Sequence, residues 1–190
     1  MGDLSVDIAQ YQKTAPILDL GCGCGWNLLW LASRGFSSLY GADISESALD
    51  AMSEFEEIIG TRIEKRRMDF YSERYEDIKF DVIFTLSAAR LDPRYEIRRF
   101  LKQVSSYLNP RGYVILDVID SAYNNMPNNQ YHTADWNKPP DERRPTEHPV
   151  RNSTEEVSAS AKAASFETVH HIFKPFDRLC LKIYIMRKAL

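Results

Sequence analysis

Asp19-Leu20-Gly21-Cys22-Gly23-Cys24-Gly25 lies at the junction of two different hydrophobic patterns. Before it, Ile17-Leu18-Asp19-Leu20 is an apolar run of strand length. After it, Gly25 to Arg34 carries apolar residues at helical spacing, and Gly35 stands where a helix C-terminus favours a left-handed residue. A strand that passes through glycines into a helix turns tightly and lets a ligand approach the backbone with no Cβ in the way. The spacing separates this loop from two common relatives. A dinucleotide fingerprint wants its third glycine at position 26, where Trp26 stands, and a phosphate-cradling P-loop needs a Gly-Lys-Ser/Thr that is absent. What remains is glycine at every second position, with an acid two residues before the first.

Working outward, strand-like and helix-like segments alternate as far as Ile119. Ser37 to Ala42 reads as a second strand. Ser45 can cap a helix in which Ala48, Met52, Phe55 and Ile59 recur on one face, ending at Gly60. Ile63 to Met68 is a third, more polar strand and Phe80 to Phe84 a fourth. Ile97, Phe100, Leu101, Val104 and Leu108 form a helical stripe closed by Asn109-Pro110-Arg111-Gly112, and Tyr113 to Ile119 is a fifth strand. Such alternation predicts crossover units and a parallel sheet. Trp26 and Trp30 are expected to face the interior of the first helix.

The composition changes at Asp120. From there to Asn152 the chain holds five of its nine prolines and little apolar periodicity, the signature of a functional or disordered connection. Ser153-Thr154-Glu155-Glu156 offers a capping box for a short helix to about Ala164. Phe166 to Phe173 and Arg178 to Arg187 are β-rich runs around a turn at Lys174-Pro175-Phe176-Asp177, so an antiparallel pair is expected to complete a seven-stranded sheet.

With 190 residues, 44% of them apolar, the chain is expected to form a single domain over 1–190, with 120–152 as an insertion. A net charge of −3 argues against a general nucleic-acid or anionic-membrane binder. Three cysteines suit a reducing cytosol, no apolar run reaches bilayer length, and no signal-peptide pattern opens the sequence, so a cytoplasmic location is expected. Cys22 and Cys24 lack the further ligands a zinc site needs, so no metal is expected. Cys180 fits the core of the last strand. His170 and His171 alternate across a strand, which suits structural roles.

Taken in order, these segments resemble the class I S-adenosylmethionine-dependent methyltransferases, from roughly Pro16 to the C-terminus. Ile17 to Gly25 looks like the family's first motif and Gly41-Ala42-Asp43-Ile44-Ser45 like its second. Asp69-Phe70 looks like the adenine-contacting pair, and Phe80 to Phe84 with Asn109 to Val114 like the fourth and fifth strands. The resemblance implies a Rossmann-like three-layer sandwich, S-adenosylmethionine as cofactor and S-adenosylhomocysteine as product. It implies cofactor contacts from Asp19, Gly21, Cys22, Gly23, Gly25, Asp43, Ile44, Asp69, Phe70 and Thr85. Asp43 lies 18 residues beyond Gly25, the separation at which a second-strand carboxylate reaches a bound ribose. Its alternative role is a carboxylate complementing the dipole of the helix that Ser45 caps. For Asp19 the alternatives are capping loop amides or approaching the methionyl part of the cofactor; Asp69 is an adenine acceptor or a turn residue, and Phe70 a contact or core.

Ligands in open α/β sheets sit outside the carboxyl ends of the strands, so the acceptor is expected between the loops after the fourth and fifth strands. The first, Thr85-Leu86-Ser87-Ala88-Ala89-Arg90, lacks the Asn/Asp-Pro-Pro-Tyr tetrad of the related DNA and protein-glutamine amide methyltransferases. That lowers the expectation of nucleic-acid methylation and favours an O or N acceptor on a small molecule. The second, 120–152, is expected to be an acceptor-site lid, weakly anchored until a ligand binds. Within it His132, Asp135 and Tyr123 are the candidate catalytic residues, a histidine being the natural base near neutral pH. Arg143 and Arg144 are candidate anion contacts; solvated side chains with no role are the alternative for the whole set. Only about 15 residues precede the first strand, where many relatives carry helices over the cofactor. The lid or a partner is expected to supply that cover, unless the sequence is shortened. Methylation of protein or RNA, or a non-catalytic cofactor-binding subunit, are the competing readings.

Overall fold

The computed structural model describes residues 12–75, 77–88, 96–174 and 180–190, with backbone alone for 169 and 171–174. β1 (Ile17–Leu20) is buried along its whole length because it lies mid-sheet with parallel neighbours on both sides. Those neighbours are β2 (Leu39–Asp43) and β4 (Phe80–Thr85). β3 (Glu64–Arg67), β5 (Leu108–Ile119), β6 (Phe166–Lys174) and β7 (Leu181–Lys188) complete a seven-stranded sheet in the order β3-β2-β1-β4-β5-β7-β6. The first five strands pair in parallel, and β7 lies antiparallel to both β5 and β6. The expected sheet and its C-terminal hairpin are therefore present; the turn proposed for the hairpin lies, from Pro175 on, outside the described residues. Edge strand β3 is almost wholly polar, Glu-Lys-Arg-Arg, a composition that discourages pairing with another chain.

Alternation along the strands sends side chains to two separate cores. Leu18, Leu20, Ile83, Val114 and Leu116 meet α3 (Ile97–Tyr107) and α4 (Thr154–Ala163). Ile17, Val82, Phe84 and Ile115 meet α1 (Trp26–Ala32) and, through Leu49 and Met52, α2 (Glu46–Ile59). The caps are those the sequence announces. Ser45 Oγ accepts from Ala48 N at 3.3 Å, and Gly60 closes α2 at φ 71°. Ser153 and Glu156 form the reciprocal capping box of α4.

Three expectations are corrected. α1 presents Leu28, Leu29 and Leu31 to the core, which leaves Trp26 64% and Trp30 40% exposed. Trp26 packs on Phe55 of α2 with ring centroids 4.9 Å apart, and Arg34 covers Trp30. Asn109 to Gly112 is not a turn ahead of the strand. β5 already pairs at Leu108, and the register then jumps from Phe80↔Leu108 to Val82↔Tyr113, so the four residues bulge out. Cys180 precedes β7 and is only half-buried; its carbonyl accepts from Asp120 N at 2.9 Å.

Segment 120–152 is also better anchored than its composition suggests. It winds through three short 3-10 turns, at Ser121–Asn125, Thr133–Asp135 and Pro140–Glu142. Arg151 donates to Asn124 Oδ1, Asn129 O and His148 O at 2.5–3.0 Å and lies over the ring of the fully buried Tyr123. Polar contacts do here what a hydrophobic stripe does in a helix, which is why apolar periodicity could not reveal them.

Candidate functional site

The strand order reverses between β1 and β4, the position where open α/β sheets bind ligands. A cleft of about 380 Å³ opens there, lined from the carboxyl ends of β1, β2 and β4, the turn after β3, and Phe100 of α3. Among the described residues no lysine, arginine or histidine lines it.

The glycine loop forms its floor for steric reasons. Gly21 has φ +72°, and a Cβ there would fall 2.2 Å from Ala88 Cβ, so the loops after β1 and β4 touch only because residue 21 has no side chain. Gly25 has φ +80°, and a Cβ would meet Met52 Sδ at 2.2 Å. Around Gly23, by contrast, a Cβ would find nothing within 4 Å. The loop's amides are already committed: Gly21 N and Cys22 N donate to Ala42 O, Gly25 N to Cys22 O, and Gly23 N to Asp43 Oδ2. Those four donors are thus turned away from the pyrophosphate recognition of a dinucleotide loop.

Asp43 sits at the start of α2, as its alternative role expects, and reaches the glycine loop as well. Oδ2 accepts from Gly23 N and Oδ1 from Ser45 N, each at 2.8 Å, so it braces the loop and the start of α2 together. Each carboxylate oxygen retains acceptor capacity for a ligand hydroxyl. The exposed Ile44 lies next to it on the rim. Across the cleft, Asp69 Oδ1 accepts from Tyr71 N at 3.1 Å and Asp69 N donates to Glu73 Oε2 at 2.7 Å. The Phe70 ring sits among Phe100, Tyr71 and Tyr107 at centroid distances of 5.1, 5.6 and 6.1 Å, an aromatic wall suited to a flat heterocycle.

Asp19 is 1% exposed and accepts one bond, from Asn27 Nδ2 at 3.0 Å, while Oδ1 has no partner among the described residues. Burial pushes its carboxyl up to about 7; the Asn27 bond pulls it down, and neighbouring Asp43 adds to the rise. Cys22 is buried beside it, and burial, with both carboxylates, drives its thiol far above the ordinary range. It stays protonated and packs as a small apolar group against Gly41. On the β4 side, Thr85 is 1% exposed and its hydroxyl has no partner among the described residues. Ser87 adopts φ 59° and its amide donates to Asp117 Oδ1 at 2.8 Å.

Of the expected cofactor residues, Gly21, Gly23, Asp43, Ile44, Asp69, Phe70 and Thr85 line the cleft, while Asp19, Cys22 and Gly25 lie in the layer behind it. Sequence reasoning overlooked Met68, Tyr71 and Phe100 as cleft residues. Phe100 belongs to the stripe that reads as pure core, and nothing in its spacing marks it out. The three expected catalytic residues do not line the cleft. Asp135, 1% exposed, is spent on an ion pair: Arg144 grips it through Nε at 2.6 Å and Nη2 at 3.0 Å, and Lys138 adds a contact at 2.8 Å. The Arg144 bonds, then Lys138, hold its carboxyl far below the ordinary carboxylate range, so it is an anchor of the segment rather than a base. Tyr123 is fully buried under Arg151, and His132 caps the turn that Asp135 belongs to, its Nδ1 accepting from Ala134 N at 3.2 Å. Arg143 holds Asn128 Oδ1 and Lys138 O, which accounts for it without an anionic ligand.

Two buried polar atoms without partners among the described residues, Asp19 Oδ1 and Thr85 Oγ1, flank a cleft that offers carboxylates and aromatic rings. That set of acceptors suits a cationic nucleoside derivative better than a phosphorylated one, and the fold around it is that of the class I methyltransferases. A family model described as a methyltransferase domain matches residues 17–112, and the chain belongs to that family of S-adenosylmethionine-dependent enzymes. Among solved structures, a SAM-dependent methyltransferase from Methanosarcina mazei is similar at a TM-score of 0.76 and 20% identity, over 97% of each chain. One from Mesorhizobium loti gives 0.71 and 17%, over 98% of this chain and 99% of that one. Magnesium protoporphyrin IX methyltransferase from Synechocystis PCC 6803, solved with bound SAM, gives 0.68 and 16%, over 93% of this chain and 71% of that one. A comparison with curated proteins finds no significant match. Among the described residues no helix is long and apolar enough to cross a membrane.

Proposed function

We propose that this enzyme methylates an oxygen or nitrogen of a small molecule, using the cleft between β1 and β4 for the cofactor and the space bordered by the β4 loop and segment 120–152 for the acceptor. The observation that carries this reading is a concave cleft without a basic lining residue among the described residues, which offers little purchase to a polyanion. Asp43 and Ile44 hold the ribose, Asp69 and Phe70 the adenine, and Gly21, Gly23 and Thr85 the remainder. Cys22 and Gly25 shape the loop from behind, and Asp19 supplies negative charge beneath the floor. S-adenosylmethionine, when bound, supplies an electrophilic methyl group on a cationic sulfur. The chain's own work is to orient that group, exclude water and hold the acceptor in line with it.

Segment 120–152 leaves the carboxyl end of β5, on the same side of the sheet as the cleft, which supports a role as acceptor wall. Any proton carried by the acceptor must be taken up there, and His132, 29% exposed and 3.7 Å from Glu147, is the one of the three candidates not fully committed to the fold. A cytoplasmic setting is part of the same reading. The test is methyl transfer from labelled cofactor to fractionated metabolite, protein and RNA pools. Label entering the metabolite fraction is expected. Label confined to protein or RNA, or cofactor binding without transfer to any pool, would overturn the proposal.

A further inference from the structure

The turn that presents Asp69 and Phe70 to the cleft carries a connection that spacing does not suggest. Asp69 and Tyr71 are held within the turn, through Glu73 Oε2 and Asp69 Oδ1. The Phe70 carbonyl is taken from outside it. Gln103, on the second turn of α3 and 8% exposed, donates from Nε2 to Phe70 O at 2.6 Å. The same nitrogen lies 3.1 Å from the Tyr107 hydroxyl. Arg74 Nη1, at 3.5 Å, is the only other side-chain donor near that carbonyl among the described residues. A carbonyl can only accept, so the Gln103 amide must turn its nitrogen toward Phe70. Phe100, one turn before Gln103 on α3, and Tyr107, one turn after it, pack on the Phe70 ring. Backbone and ring of Phe70 are thus fixed by one face of one helix.

Apart from the Tyr107 hydroxyl, itself part of the wall around the Phe70 ring, the Gln103 side chain has no other hydrogen-bond partner among the described residues. A glutamine buried in a helix face that otherwise presents Ile97, Phe100, Leu101, Val104 and Tyr107 costs desolvation unless its amide is used, and this amide is used on the cleft wall. We infer that Gln103 is the positioning residue of the adenine subsite: its amide sets the height and tilt of the Asp69–Phe70 turn and so governs affinity for the adenosine half of the cofactor. The inference rests on the proposed reading of Asp69 and Phe70 as adenine contacts.

The experiment compares adenosine and S-adenosylhomocysteine binding by calorimetry for wild type, Gln103→Met, Gln103→Glu and Asp69→Ala, between pH 6 and pH 9. Methionine keeps the volume and removes the donor, so both ligands are expected to bind about fivefold more weakly at every pH. Glutamate donates only when protonated, and burial raises its carboxyl pKa. Gln103→Glu should therefore approach wild-type affinity at pH 6 and fall to the methionine level or below at pH 9. A role in packing alone would give no recovery at low pH and no loss in the methionine variant, and either result overturns the inference. Thermal unfolding of each ligand-free variant separates a misfolded protein from a displaced turn. A fold disrupted in both Gln103 variants would make this amide a core determinant and also overturn the inference. If Asp69→Ala leaves adenosine binding intact, the adenine reading itself fails; if it weakens binding while the Gln103 variants do not, only the positioning role fails.

Discussion

Replacing Asp19 by asparagine should stabilise the ligand-free enzyme and weaken its hold on the cofactor. Burial pushes the wild-type carboxyl up to about 7 from its ordinary value of 3.8. A raised acid pKa means that the folded state holds its proton more tightly than the unfolded chain. This group's contribution to stability is therefore fully present below about pH 4 and is lost as pH rises toward 7. Three pKa units at about 1.4 kcal/mol each put the cost at about 4 kcal/mol by pH 8. An amide of the same shape never ionises and can still pair with Asn27. Asp19→Asn should gain about 2–4 kcal/mol at pH 8, an increase in melting temperature of about 5–15 °C for a domain of this size, and almost nothing at pH 4.

The cofactor should reverse the ranking. A bound cation favours ionised Asp19, so wild-type affinity for S-adenosylmethionine should climb with pH up to about 7 and then level off. In the variant that climb should disappear and the affinity at pH 8 should fall about tenfold or more. Thermal unfolding with and without cofactor from pH 4 to 8, alongside calorimetry, measures both effects. A variant less stable than wild type at pH 8, or one that keeps the wild-type pH profile of binding, would refute the argument that Asp19 is a buried charge kept for a cationic ligand.

Asp43→Ala removes an acceptor from two backbone amides and, on the proposed reading, from the ligand, so cofactor affinity should fall at least tenfold, from a loss of about 1.5–3 kcal/mol, with the fold retained by circular dichroism. Gly21→Ala drives a methyl into Ala88 at a left-handed φ and should cost about 1–3 kcal/mol in urea unfolding; adding Ala88→Gly should recover part of that loss. Asp117→Leu frees the Ser87 amide and should destabilise the fold by about 1–3 kcal/mol and weaken cofactor binding. Asp117→Asn, which keeps a carbonyl oxygen in reach, should retain most of both, as fluorescence-detected unfolding and binding titrations can show.

The parts of this enzyme legible in its sequence are those where backbone sterics leave few options. Gly21 and Gly25 must be glycine because neighbouring side chains fill the space a Cβ would occupy, and the alternation of strands and helices around them settles which ends of the sheet form the cleft. Asp43 is legible because the crossover length brings it to that loop. Ser45, Gly60 and the Ser153–Glu156 box are legible because caps are local, spanning three or four residues. The supports behind the site are not local. Gln103 meets Phe70 across 33 residues, Asp117 meets Ser87 across 30, and Asp43 meets Gly23 across 20; only the last pair falls within one crossover unit. A glutamine in a helical stripe and an acid in a strand look like imperfections of pattern until the fold shows what each one holds. The same reasoning explains why Asp135 misleads as a candidate base. Within 120–152 an acid beside histidine and tyrosine has the composition of a catalytic cluster, yet the neighbours that decide its role, Lys138 and Arg144, are cations that keep it ionised and in place. Asp19 is buried with one oxygen unpartnered among the described residues, which is why its titration can report a bound cation, whereas burial with both oxygens satisfied marks Asp135 as a group kept for the fold.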